Sequence, residues 1–183
     1  MMKQLFSTVV FALLFAMAPS LLADAPKGWG TDYDAALARA AKEKRPVLAL
    51  FTGSDWCPYC VQLEKKVLKD SSFQKFAEKN VVLLYLDFPR KKQLDAKLTA
   101  QNKKLAVKYG VRGYPTSLLL NARGETIGKV TARNARGYIR DIEQLAKKAE
   151  KIISHRSSLL EIEDAFQRAM HQENVKEIFT RFD

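Results

Sequence analysis

An α/β fold, with a mixed central sheet flanked by helices and a helical extension at the C-terminal end, is predicted by three observations. Continuous apolar runs of strand length at 47–51 and 81–86 alternate with longer stretches of helical periodicity. Two more strand-like runs, 116–120 and 125–131, flank the turn residues 121–124 and read as a hairpin. Everything from 137 onward carries helical spacing. Parallel strands can be joined only by crossover connections, so the alternation itself argues for this sheet.

The elements follow in order. Residues 31–43 read as an amphipathic helix capped by Thr31 with Asp34 three positions on, its apolar face made by Tyr33, Leu37, Ala40 and Ala41. Pro46 closes it, and the run 47–51 suits a strand buried on both faces. Gly53, Ser54 and Asp55 make a turn into a helix carrying Val61, Leu63 and Leu68, followed by a short helix over 72–79. The second strand, 81–86, ends at Asp87-Phe88-Pro89. After the basic loop Arg90-Lys91-Lys92 comes a helix over 93–109 with Gly110 placed as its C-terminal cap. A long helix over 137–153 completes the domain. Beyond it, the capping-box spacing Ser158–Glu161 and the pair Asn174 and Glu177 predict two appended helices, which cover a face of the domain or serve a second copy of the chain, a homodimer through 154–183.

Composition bounds the class. The chain has 183 residues, enough for one domain with a real core, and is 47% hydrophobic and 28% charged, as soluble globular proteins are. The formal net charge is +11, but the lysines and arginines are spread along the predicted helices and no nucleic-acid motif is present. A solvated basic surface is the better reading, with attraction to acidic partners or an anionic envelope second.

The first two dozen residues differ in character. Lys3 is followed by the apolar run 9–18 and then by small residues around 20–25. That layout predicts a secretory signal peptide over 1–23, cleaved after Ala23, a main domain over 24–153 and the extension over 154–183. The apolar run falls short of the roughly 20 residues that span a bilayer, so export is expected over a retained anchor. The predicted location is periplasmic or otherwise extracytoplasmic, where disulfides form and persist.

Cys57-Pro58-Tyr59-Cys60 holds the only two cysteines of the chain. The reacting species is a thiolate, and a helix start supplies it: free N–H groups and the helix dipole favour the charged sulfur, bringing thiol pKa values down to roughly 3.5–7.5 in such motifs. Pro58 suits the first helical position because it has no N–H to lose. Cys57 is therefore expected to be the exposed nucleophile, with Cys60 one turn on to resolve a mixed disulfide. A zinc site would need two more ligands, and the only histidines, His155 and His171, lie in the extension without a matching pair, which also disfavours copper. A purely structural bridge closing so short a loop would stabilise little. No metal and no cofactor are expected.

With these residues in hand, the chain resembles the thioredoxin superfamily. Phe51-Thr52-Gly53-Ser54-Asp55-Trp56-Cys57-Pro58-Tyr59-Cys60 follows a strand as that family's Trp-Cys-x-x-Cys does, and Val111-Arg112-Gly113-Tyr114-Pro115-Thr116 opens the third strand where the family carries its cis-proline. The resemblance covers about 29–150 and implies a thioredoxin fold, a cis bond before Pro115, and substrate contacts from Trp56, Tyr114 and Pro115. Cys-Pro-Tyr-Cys is similar to glutaredoxins, and Gly-Tyr-Pro-Thr to protein disulfide isomerases. The helix before the first strand, the Gly-Ser-Asp turn and the Asp-Phe-Pro-Arg-Lys-Lys stretch look most like exported bacterial thioredoxin-like proteins. The pattern departs at one point. The family's buried carboxylate on the strand before the motif is missing from Val47-Leu48-Ala49-Leu50-Phe51, leaving water or Asp55 to take the Cys60 proton.

The function implied is an exported protein-disulfide reductase or isomerase acting through Cys57 and Cys60. Its partners are disulfide-containing or reduced cysteine-containing exported proteins and a membrane or soluble thiol electron donor. The alternatives are glutaredoxin-like or disulfide-donating activity, or a binding module acting through its C-terminal helices.

Overall fold

Six consecutive buried residues, Val47–Thr52, form β1 at the centre of a four-stranded sheet. The structure is a computed structural model that describes residues 25–180; the signal peptide expected over 1–23 lies outside the described residues. The strand order is β2-β1-β3-β4, with β2 at Val82–Asp87, β3 at Thr116–Leu120 and β4 at Thr126–Val130. β1 runs parallel to β2 and antiparallel to β3, and β3 to β4 is the expected hairpin. The outer edge of β2 is covered in part by Gly30, whose N–H donates to the Leu83 carbonyl.

Both faces of β1 are covered because successive side chains point to opposite sides. Val47, Ala49 and Phe51 enter one core with Ala36 and Ala40 of α1 (Tyr33–Glu43) and Leu105 of α4 (Ala96–Lys108). Leu48 and Leu50 enter the other, with Leu63 of α2 (Pro58–Leu63), Phe73 and Ala77 of α3 (Ser71–Asn80), and Tyr138 and Ile142 of α5 (Ala135–Thr180). A continuous apolar strand between two helical layers is what the run of residues required. The phenol of Tyr138, buried in this second core, donates to the Ser117 hydroxyl at 2.6 Å.

Three expectations are corrected. Asp32, not Thr31, caps α1: its carboxylate accepts the Ala35 N–H at 2.8 Å. The helix after the cysteine motif is not uniform, since α2 passes into a single π-helical stretch, Glu64–Leu68. The two appended helices are instead one continuous α5 of 46 residues, about 69 Å long at 1.5 Å per residue. The Ser158 hydroxyl donates back to the His155 carbonyl within the same helix and so does not cap a new one. Ile139, Leu145 and Ala146 pack against the core, whereas Ile152, Leu159, Leu160 and Ile162 are exposed.

Candidate active site

The connection from β1 to α2 is held by its own backbone. The Cys57 N–H donates to the Gly53 carbonyl at 3.0 Å, closing a turn over residues 53–57. Cys57 then caps α2 in extended conformation, φ −92° and ψ 110°, with Pro58 at the first helical position. Its Sγ accepts the Cys60 N–H at 3.3 Å, while Cys60 Sγ accepts the Gly53 N–H at 3.4 Å. The two sulfurs are joined as a disulfide across a Cα separation of 5.2 Å.

Cys57 is not the exposed residue that the sequence suggested. It is 4% exposed and Cys60 is 3% exposed, while Pro58 and Tyr59 between them are exposed. The reason is the loop before β3: the Tyr114 carbonyl oxygen lies 3.6 Å from Cys57 Sγ. The Tyr114–Pro115 peptide bond is cis. Thr116 steadies the loop by donating its hydroxyl to the Gly113 carbonyl at 2.8 Å.

Trp56 is half-buried against this same loop, its ring edge-on to Tyr114 at 5.8 Å between centroids. The indole N–H donates to the Phe88 carbonyl at 2.7 Å, and the Arg90 guanidinium stacks over the ring at 3.8 Å. Gly53 permits the arrangement, since a Cβ there would meet the Trp56 ring at 2.5–2.8 Å. Tyr114 also packs on Phe88 at 5.0 Å, and burial pushes its phenol pKa up. The structure therefore brings Trp56, Cys57, Cys60 and the Tyr114-Pro115 loop together at one end of the sheet, past the end of β1 and before the start of β3.

Sequence reasoning missed Asp87. It ends β2, is 4% exposed, and lies opposite Thr52 in the β1–β2 register. Its carboxylate accepts the Ser54 N–H at 2.9 Å and the Ser54 hydroxyl at 2.6 Å, with the Lys92 ammonium 3.4 Å away. The Asn102 amide donates to the Asp87 carbonyl at 2.9 Å. Below it, burial first, and then the charges of Asp87 and Glu64, push the Tyr85 phenol well above its ordinary range against the Ser54 and Thr52 hydroxyls. A buried acid thus supports the cysteine turn from the neighbouring strand. An acid closing a buried apolar run was visible in the sequence, but its relation to Ser54 depends on the strand pairing.

Asp55, named as a candidate for the Cys60 proton, is engaged elsewhere. Its carboxylate accepts the backbone N–H groups of Arg90, Lys91 and Lys92 at 2.7–3.2 Å. Partial desolvation works against the charged form, and the three N–H groups outweigh it, so its pKa lies below the usual value.

The thioredoxin-like domain family matches residues 33–153. The chain is 30% identical over 98 residues to the disulfide bond reductase DsbH of Chlamydia pneumoniae, covering 54% of this chain and 59% of that protein. It is 26% identical over 102 residues to the thioredoxin-related protein DsbJ of the same organism, covering 56% of this chain and 29% of that protein. In both cases the match spans less than two thirds of the relative. A solved DsbH oxidoreductase structure superposes with a TM-score of 0.60 at 24% identity, covering 72% of this chain and 96% of that one, a likeness of fold. Fold, cysteine pair and family match agree, and the chain belongs to the thioredoxin-like domain family.

Proposed function

We propose that this chain is an extracytoplasmic thiol–disulfide oxidoreductase that reduces or isomerises protein disulfides. The observation that carries the reading is the Cys57–Cys60 pair at the start of α2, with Cys57 Sγ against the Tyr114 carbonyl. In the reduced chain the Cys60 N–H that now meets Cys57 Sγ favours a thiolate there. That thiolate attacks one sulfur of a substrate disulfide, forming a mixed disulfide and releasing one substrate thiolate. Cys60 then attacks Cys57 Sγ, forming the intrachain bond and releasing the second substrate thiolate. Two electrons pass from the dithiol to the substrate, and an external dithiol donor restores the pair.

Tyr114, through its backbone next to Pro115, and Trp56, through its half-buried ring, are the contacts assigned to substrate. The likeness to the Chlamydia disulfide bond reductase DsbH supports the reducing direction. The leader-like layout of residues 1–23 supports export.

Insulin reduction tests the chemistry. Cys57→Ser abolishes it and Cys60→Ser accumulates mixed disulfides with substrate, while normal turnover by either variant refutes the mechanism. A reduction potential near the thioredoxin value of about −270 mV fits a reductase, and one near −120 mV assigns disulfide donation instead. N-terminal sequencing of the exported chain tests cleavage after Ala23.

A further inference from the structure

The end of the sheet that carries the disulfide is ringed by cations, and the carboxylates closest to it are taken up by hydrogen bonds. Arg90 stacks on Trp56 at 3.8 Å, and Arg133 lies over the Tyr59 ring, inside the cysteine motif, at 6.0 Å. Arg133 and Lys66 line one hollow with Tyr59. Arg112 and Lys129 line another with Tyr114 and Pro115. All five cations are exposed.

Acids beside these cations, Asp55 in the cysteine turn and Asp141 on α5, are engaged with backbone. Asp55 accepts the N–H groups of residues 90–92, and Asp141 accepts those of Thr131 and Ala132, both at 3.0 Å, just before Arg133. Each carboxylate thereby fixes a loop whose basic side chain projects outward. Elsewhere several arginines pair with acids, as in Arg39–Glu43, Arg45–Glu43 and Arg123–Glu125. Among the described residues, none of the five rim cations has a carboxylate partner. The rim charge is therefore more than a share of the +11 carried by the whole chain. Stacking on Trp56 also holds the Arg90 guanidinium in place before a partner arrives.

We infer that the partners of this site present their cysteines within acidic segments, with Asp or Glu flanking the reacting sulfur and meeting Arg90, Arg112 and Arg133. The inference rests on the proposed disulfide exchange and adds the chemistry of the partner to it. Like-charged approach is disfavoured and opposite charge steers encounter, an effect that salt weakens.

Two synthetic peptides with the same internal disulfide, one flanked by Asp and Glu and one by Gln and Asn, are mixed with the reduced full chain, and second-order rates are measured at low and physiological salt. The acidic peptide is expected to react about tenfold faster at low salt, with the advantage shrinking as salt rises. Arg112→Glu with Arg133→Glu brings the acidic-to-neutral ratio near or below one, and Arg112→Lys with Arg133→Lys preserves it. Equal rates for the two peptides overturn the inference, as does oxidised glutathione reacting as fast as the acidic peptide. Failure to reduce either peptide overturns the disulfide-exchange reading instead.

Discussion

Ser54 and Asp87 are joined twice, through the Ser54 N–H at 2.9 Å and the Ser54 hydroxyl at 2.6 Å. The pair links the end of β2 to the turn that delivers the cysteines. Gly53, the residue before Ser54, gives its own N–H to Cys60 Sγ. Two successive amides of one turn therefore point at Cys60 Sγ and at the buried acid.

Ser54→Ala removes a hydrogen bond to a charged, buried group and is expected to cost about 1.5–3 kcal/mol. Paired with Asp87→Asn in a double-mutant cycle, it shows non-additivity above roughly 0.5 kcal/mol in urea unfolding of the oxidised protein. Additive losses would show that the two residues are not coupled.

Gly53→Ala places a methyl group against the Trp56 ring, which its bond to the Phe88 carbonyl and the Arg90 guanidinium hold in place. Overpacking of this kind costs about 1–3 kcal/mol. The Trp56 indole N–H resonance, set by its bond to Phe88, shifts in the variant; an unmoved resonance and unchanged stability would contradict the contact.

Asp55 makes the 90–92 loop pH-sensitive in one direction only. Its folded pKa is depressed, so the anchoring is complete above the ordinary carboxylate value of about 3.9 and is lost as pH falls through the lower folded value. The amide resonances of Arg90, Lys91 and Lys92 titrate together with a midpoint below that ordinary value. In Asp55→Ala the same resonances show no such step.

Removing residues 154–183 leaves the core intact, since described side chains of α5 beyond residue 149 are exposed. Stability changes by less than about 0.5 kcal/mol, as expected for surface changes. A larger drop in thermal midpoint would show that the distal part of α5 packs on the domain.

Much of this was legible in the residues. The runs at 47–51 and 81–86 are strands because continuous apolar residues fit a sheet covered on both faces, and Gly110, at φ 60°, ends α4 as its lack of a Cβ predicts. The cysteine motif and Tyr114-Pro115 were found by local pattern, and the fold brings them together. Asp87 escaped because its role is a contact across 33 positions of sequence. The continuity of α5 escaped for the opposite reason. Ser158 and Glu161 have the spacing of a cap, but a serine hydroxyl bonds as readily to the carbonyl three residues back, and nothing in the spacing distinguishes the two.

The near-complete burial of both sulfurs has a kinetic consequence. Thiol–disulfide exchange requires the attacking sulfur to reach a disulfide sulfur, with access helping to set its rate. A small thiol colliding at random meets almost no sulfur surface here, whereas the docking proposed for the Tyr114 loop would hold a partner chain beside Cys57. Under the proposed exchange, the oxidised pair would then turn over slowly with free small thiols and faster with a protein that docks beside it.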